Sequence, residues 1–200
     1  MILTHSDADH LDGLIEVLKK YEIGAVLETG AADGSANYLF WRELLAEKNV
    51  PVVFASLGQT LKIAENLEIK IMAPAVKIVG QSQKSANNSS IVGKIIFGEN
   101  EILFTGDAEG AEEAQMILNN LDLRSDILAI AHHGGKNSSG ADFLAAVAAQ
   151  MAVIQVGKNN RYGHPAQETL ARLKGLEVWR TDLVGDIGFE CDLRECLKID

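Results

Sequence analysis

Positive charge is scarce in this sequence beside negative charge. Against 28 acidic residues stand 18 Lys and Arg, a formal net charge of −10. Such a surface repels a duplex's phosphates at long range and excludes tight non-specific nucleic-acid binding by charge alone. Phosphate chemistry stays open, because bound cations would reverse the sign locally. Long apolar runs are missing too, so no segment is predicted to cross a bilayer. No signal-peptide pattern precedes the first polar cluster. Cysteine is down to Cys191 and Cys196. Their spacing matches no zinc or redox motif, and two free thiols are expected. Repeats, low-complexity tracts and linkers are absent as well. With 200 residues, 47% of them apolar, the chain suits one domain with a full core.

The pattern along the chain is mixed. Leu11, Leu14, Ile15 and Leu18 recur at helical spacing, which predicts a helix over 11–21 ended by Gly24. Residues 25–28 read as a short buried strand. Ser35 is placed to cap a helix carrying Tyr38, Leu39, Trp41, Leu44 and Leu45. Residues 50–54 form another strand. Alternation over 60–63 and 67–72 predicts a hairpin. The polar stretch 77–90 reads as a loop. Residues 91–97 and 101–105 form an antiparallel pair around Gly98, Glu99 and Asn100. Helix and strand then alternate. Helices are expected over 108–121, 141–150 and 166–174, the last with Pro165 at its first turn. Strands are expected over 126–131, 151–156, 178–181 and 187–191. One α/β domain, 1–200, is the simplest organisation.

Strand ends carry the chemistry. His5, Asp7, Asp9 and His10 follow the first apolar residues. Asp107 follows one later strand, the pair His132 and His133 another, and His164 a third. Ligands converge at strand ends in layered α/β folds. In an extended segment, alternate residues point one way and the next the other. That suits two adjacent metals, His5 and Asp7 on one, Asp9 and His10 on the second. The plainer reading is a loop whose carboxylates, Asp9 and Asp12, cap the following helix. Capping leaves the two histidines unexplained. Asp107 also sits at a helix start, yet beside the first cluster it reads better as a carboxylate bridging two metals. His132 and His133 end a buried strand, where neighbours face opposite sides, so one of them is expected to be a ligand. Lys158, Arg161 and His164 lie in a polar loop that could cradle a phosphate or simply start a helix. Asn87, Asn88, Ser89 and Ser90 fit a turn, or a supporting shell around the site.

In this order, residues 4–10, 105–109, 132–134 and 157–165 resemble the metallo-β-lactamase superfamily. More narrowly, they resemble the metallo-β-lactamase-like domain of the ComEC-type proteins of DNA-uptake competence. The similarity runs from Met1 to about Phe189. The usual first motif of the superfamily is His-x-His-x-Asp-His. Here it is His-x-Asp-x-Asp-His, a form associated with ComEC-like and phosphodiesterase members. The resemblance implies an αββα sandwich with a two-metal site at one sheet edge. It implies His5 and Asp7 on one metal, Asp9 and His10 on the other, and Asp107 between them. It favours His133 over His132 as the last ligand, leaves His132 lining the pocket, and puts His164 on the substrate phosphate or leaving oxygen. Asp9 would help orient the attacking water.

Family members carry strands before the first motif. The expected sandwich is therefore N-terminally truncated, or another segment completes the sheet. A mid-chain histidine of the wider superfamily also has no counterpart, and the oxygen-rich donor set suits Mn²⁺ as well as Zn²⁺. The implied function is metal-dependent hydrolysis of a phosphodiester, DNA and single-stranded DNA included. The domain is expected to be soluble as it stands, with a plasma-membrane-associated channel protein as parent or else in the cytoplasm. Two other readings keep the fold: a hydrolase of a lactone, thioester or β-lactam, and a non-catalytic docking module.

Overall fold

The computed structural model describes residues 1–82 and 86–199. Among these, the main sheet has seven strands: β3 (Thr60–Ala64), β4 (Leu67–Ala73), β5 (Val92–Phe97), β6 (Asn100–Phe104), β7 (Ile127–Ala129), β8 (Met151–Ile154) and β9 (Glu177–Arg180), paired in that order. The first four run antiparallel. From β6 to β9 the pairing is parallel. A smaller parallel sheet joins β1 (Val26–Glu28) to β2 (Val52–Phe54), and Ile2 extends it by a bridge to Leu27.

Side-chain alternation explains the layering, because successive strand residues face opposite sides. On β1, Val26 packs with Leu3, Leu11, Ile15, Leu18, Tyr38 and Trp41, beneath helices α1 (Ala8–Lys20) and α2 (Ala36–Glu47). Its neighbour Leu27 faces the other way, onto Ile71 and Ile91 with Ile69 and Phe104 of the main sheet. The far face of the main sheet offers Met72, Leu103, Leu128, Ala152 and Ile154. It is covered from α3 (Gly110–Leu118) and α4 (Ala141–Val147) by Met116, Phe143 and Val147, and by Leu173 at the end of α5 (Gln167–Arg172). The order helix, sheet, sheet, helix is the expected αββα sandwich.

Several expected boundaries move. The first helix begins at Ala8 rather than residue 11 and ends at Lys20, with Tyr21 as its C-cap, so Gly24 does not terminate it. Its first turn is polar, which hid it from an apolar-period reading. The N-cap is Asp7, whose side chain makes no capping bond, so neither Asp9 nor Asp12 caps this helix. Asp12 instead accepts a hydrogen bond from Asn37 at 2.7 Å. Ser35 does cap α2, accepting from the Tyr38 N–H. Pro165 is not in the first turn of α5, whose N-cap is Ala166. Within the expected loop 77–90, Asn87–Ser89 forms a single helical turn, and 83–85 lie outside the described residues. A four-residue helix, α6 (Thr181–Val184), follows β9. Among the described residues, no helix is long and apolar enough to cross a membrane.

The cysteines are not free. Strands β10 (Gly188–Cys191) and β11 (Cys196–Ile199) form a hairpin, of which only the first strand is expected from the sequence. Its register sets Cys191 opposite Cys196, Cα–Cα 4.0 Å, and they are joined as a disulfide. Pairing across the hairpin, rather than any sequence motif, creates that approach. The hairpin docks on the main sheet through Asn100 Nδ2, which donates to the Asp192 carbonyl at 2.6 Å.

Candidate metal centre

The site gathers where β6, β7 and β8 end. These strands are parallel, so their C-terminal ends open on the same side, and the loops after them meet there. Into this rim comes the first stretch of the chain. Leu3 N–H donates to the Leu27 carbonyl, and Ile91 N–H donates to the Thr4 carbonyl, both at 2.9 Å. Gly106, at φ +50°, lets the β6 loop pass between Thr4 and Ser90. A Cβ there would lie 2.9 Å from Thr4 Cβ and 3.1 Å from Ser90.

Six of the expected residues converge. His10 Nε2 is 3.1 Å from Asp107 Oδ1 and 3.3 Å from His133 Nε2. His133 Nε2 is 3.1 Å from Asp9 Oδ2. His5 Nε2 is 3.6 Å from Asp7 Oδ2 and 3.7 Å from Asp107 Oδ2. Among the described residues, two triplets have ligand atoms mutually within 4.8 Å: His5, His10 and Asp107, and Asp9, His10 and His133. Asp7 lies at the rim with its side chain about half exposed. His10 thus sits between the two groups, where the expected pairing had placed it on one side with Asp9.

The donor set fits divalent cations for reasons visible in the folded protein. His5 Nε2 and Asp107 Oδ1 are buried and have no hydrogen-bond partner among the described residues. The 3.1 Å approach of His10 to that oxygen is an ion-pair contact rather than an aligned hydrogen bond. Buried polar atoms left without partners are rare and point to something that completes them. His133 supplies a second reason. Its Nδ1 is 2.7 Å from the backbone carbonyl of Gln155, which can only accept, so Nδ1 carries the proton. In the neutral ring Nε2 then turns a lone pair toward the carboxylate of Asp9. A proton on Nε2 or a metal cation between the two groups makes that arrangement favourable. His5 is held alike: Thr4 Oγ1 and Ser90 Oγ lie 3.2 and 3.3 Å from its Nδ1, and Ser90 Oγ also accepts the Asp107 N–H. Ring nitrogens fixed on one side leave the other free as a ligand.

The electrostatics agree. Burial, then His10, lowers the His5 pKa to about 4, so its ring is neutral near pH 7. Burial, then Asp9 and Asp107, pushes the Asp7 carboxyl up. Burial works to raise Asp107, but the adjacent His10, His5 and His133 win and hold it below the usual range. Burial works to lower His10, and Asp107 outweighs it, so His10 rises. The crowding of Asp7, Asp9 and Asp107 is the like-charge repulsion that a bound cation relieves.

The paired histidines do not sit as expected. Strand β7 stops at Ala129. His132 and His133 lie beyond it in a turn, both in the left-handed region at φ 51° and 53°. Strand alternation therefore does not apply, and both rings line the site. Consecutive non-glycine residues in this region are costly and persist where surrounding structure enforces them. His132 turns to Glu109, 3.3 Å from Nδ1, with Asp107 Oδ2 at 3.9 Å from Nε2. Asn87 and Asn88 donate to Glu109 at 3.3 and 3.4 Å, so the 87–90 stretch braces the site. Asp107 does not cap α3, since the N-cap there is Glu109. His164 joins neither triplet. Its ring lies 5.3 Å from that of His132. Burial, then His132 and His133, lowers its pKa. With Asp9, His133, Asn160 and Tyr162 it lines a cavity of about 280 Å³. Lys158 is exposed and does not line this cavity, and Arg161 packs on Tyr162. Sequence reasoning missed Glu109 as the partner of His132, although it lies two residues from Asp107. It also missed the Gln155 carbonyl, since a backbone acceptor leaves no mark in side-chain identity.

This layered fold with its metal-type cluster defines the class. The metallo-β-lactamase-fold protein YhfI of Bacillus subtilis aligns with a TM-score of 0.52 and 14% identity, over 90% of this chain and 72% of that one. The chain has the metallo-β-lactamase fold. No family model matches it. Among curated proteins, it is 29% identical over 191 residues to ComE operon protein 3 of Bacillus subtilis, covering 94% of this chain and 24% of that protein. It is 34% identical over 106 residues to the competence protein ComA of Neisseria gonorrhoeae, covering 52% of this chain and 15% of that one. The chain is similar in sequence to a segment of each of these competence proteins. It spans about a quarter of the first relative's length and less of the second's.

Proposed function

We propose that the chain is a metal-dependent phosphodiesterase that acts on DNA, in single-stranded form, within a competence system. The observation that carries this reading is the convergence of His5, Asp7, Asp9, His10, Asp107 and His133 around buried His5 Nε2 and Asp107 Oδ1, neither of which is hydrogen-bonded among the described residues. The similarity to competence proteins supports DNA as the substrate. The active domain belongs to a larger, plasma-membrane-associated protein.

His5 and Asp107, with Asp7 at the rim, would hold one divalent ion, and Asp9, His10 and His133 the other, with Asp107 between them. Zn²⁺ and Mn²⁺ both suit this mixture of imidazole and carboxylate. Bound there, such ions lower the pKa of a water and neutralise charge on a phosphoryl group. Asp9 and Asp107 accept hydrogen bonds from the attacking water and so fix its direction. His164 lines the same cavity as Asp9 and His133, and from there it would donate to a phosphate oxygen or to the leaving oxygen. His132, held by Glu109, would keep the turn that aims His133 in place.

The test is metal content with hydrolysis. Purified protein should hold close to two equivalents of Zn²⁺ or Mn²⁺ and cleave both a simple phosphodiester and single-stranded DNA. Asp7→Ala and Asp107→Ala should lose metal and rate together. Equal rates in wild type and both variants would overturn the proposal. Activity confined to lactones, thioesters or β-lactams would replace the substrate class.

A further inference from the structure

We propose that Tyr162 is a stacking platform that receives the nucleobase beside the scissile phosphate, which makes the site selective for unpaired nucleotides. The inference rests on the phosphodiesterase reading and deepens it.

Tyr162 is 68% exposed, a large apolar area left in water at the mouth of a site. Other aromatic rings are exposed as well, among them Tyr21 and Phe40. Neither lines the cavity shared by Asp9, His133 and His164, as Tyr162 does. Its ring is nearly parallel to the His164 imidazole, at 22° and a centroid distance of 6.1 Å. The loop that presents both rings is braced. Asn160 Nδ2 donates to the His164 carbonyl at 2.7 Å, and Asn160 Oδ1 accepts the His164 N–H at 2.9 Å. Arg161 lies over the ring, its guanidinium 5.4 Å from the centroid, and its Nη2 donates to the Tyr162 hydroxyl at 3.4 Å. The ring is therefore preorganised, and little order is lost when a base stacks on it.

Two further points narrow the ligand. At about 280 Å³ the cavity is close to the roughly 300 Å³ lower limit for drug-sized ligands, room for one nucleoside and not for a base pair. The cations Lys158 and Arg161 belong to this loop, in a chain that is otherwise strongly acidic. Aromatic faces with neighbouring cations are the usual means of holding single-stranded nucleic acid without reading sequence. A duplex keeps its bases stacked inside and cannot use the platform unless one is extruded.

The experiment compares two single strands of equal length, oligothymidylate and the same backbone with abasic sugars, cleaved by metal-loaded protein. Wild type should show a lower KM for oligothymidylate, by roughly five- to a hundredfold. Tyr162→Ala should bring the ratio of the two KM values close to one, and Tyr162→Trp should restore it. Fluorescence anisotropy of both labelled strands gives a readout without turnover. If wild type cleaves neither strand, the phosphodiesterase reading fails. The platform then survives only if wild type still binds oligothymidylate better and Tyr162→Ala abolishes the difference. A KM ratio or binding preference that persists in Tyr162→Ala overturns the platform, and so does a wild type that does not distinguish the strands.

Discussion

Glu28 offers the sharpest test of how the small sheet is held under its helices. Its carboxylate is buried on β1 and takes three donors from one turn of α2. Tyr38 Oη donates at 3.1 Å, Trp41 Nε1 at 3.0 Å, and the Arg42 guanidinium closes the cluster as an ion pair. In Glu28→Ala the three donors fare differently. The Arg42 side chain is 41% exposed and can rehydrate at little cost. Trp41 is fully buried and Tyr38 nearly so, and water cannot replace the lost acceptor for either. Each buried donor left unsatisfied costs about 1–3 kcal/mol, so the pair costs about 4 kcal/mol. This agrees with the roughly 3–5 kcal/mol seen when one partner of a buried ion pair is removed. For a chain of this size that is a fall in Tm of roughly 8–16 °C. Urea unfolding followed by Trp fluorescence and by far-UV circular dichroism gives the free energy. Trp41→Phe removes one stranded donor, so the double variant should be less destabilised than the two single changes summed. A loss below about 1 kcal/mol in Glu28→Ala, or strict additivity with Trp41→Phe, would show that the carboxylate is not the organiser of this layer.

Four other outcomes are expected. Gly106→Ala should destabilise the fold by at least about 1 kcal/mol in thermal unfolding and release bound metal, since the new Cβ meets Thr4 at 2.9 Å in a left-handed backbone. Adding Zn²⁺ or Mn²⁺ at about 100 times the dissociation constant should stabilise wild type by about 2.7 kcal/mol, a rise in Tm of roughly 5–11 °C that a chelator reverses and that Asp107→Ala lacks. Burial, then Glu28, pushes the Tyr38 hydroxyl up from 10.0 to about 12. A raised folded pKa means stability that is complete below pH 10 and lost as pH climbs toward 12, so phenolate absorbance should show a late step that Tyr38→Phe removes. Reducing the Cys191–Cys196 bond should loosen the terminal hairpin in hydrogen exchange and leave metal content unchanged, because neither cysteine is among the clustered ligand residues.

Much of the layout was legible along the chain. Leu11, Ile15 and Leu18 mark the buried face of α1 by period, and the sheet strands announce themselves by apolar runs of the right length. The boundaries were harder where polar residues flank the start of a helix, as at Ala8, or where a strand is only four residues long, as β11 is. The disulfide belongs to the same class, since it depends on a hairpin register that spacing does not encode.

For the site, sequence alone determined the ingredients: histidines and aspartates concentrated at strand ends, in chemistry that suits metals. Tertiary structure decided who meets whom. It set His10 between two groups rather than within one, turned both His132 and His133 into the site through a left-handed turn, and bound His132 to Glu109. It also fixed the His133 tautomer through a backbone carbonyl. The physical reason is range. Periodicity and capping act over a few residues, so they can be read along the chain. Ligand geometry depends on parallel strand ends brought together from residues 5 to 164, and only packing sets those distances.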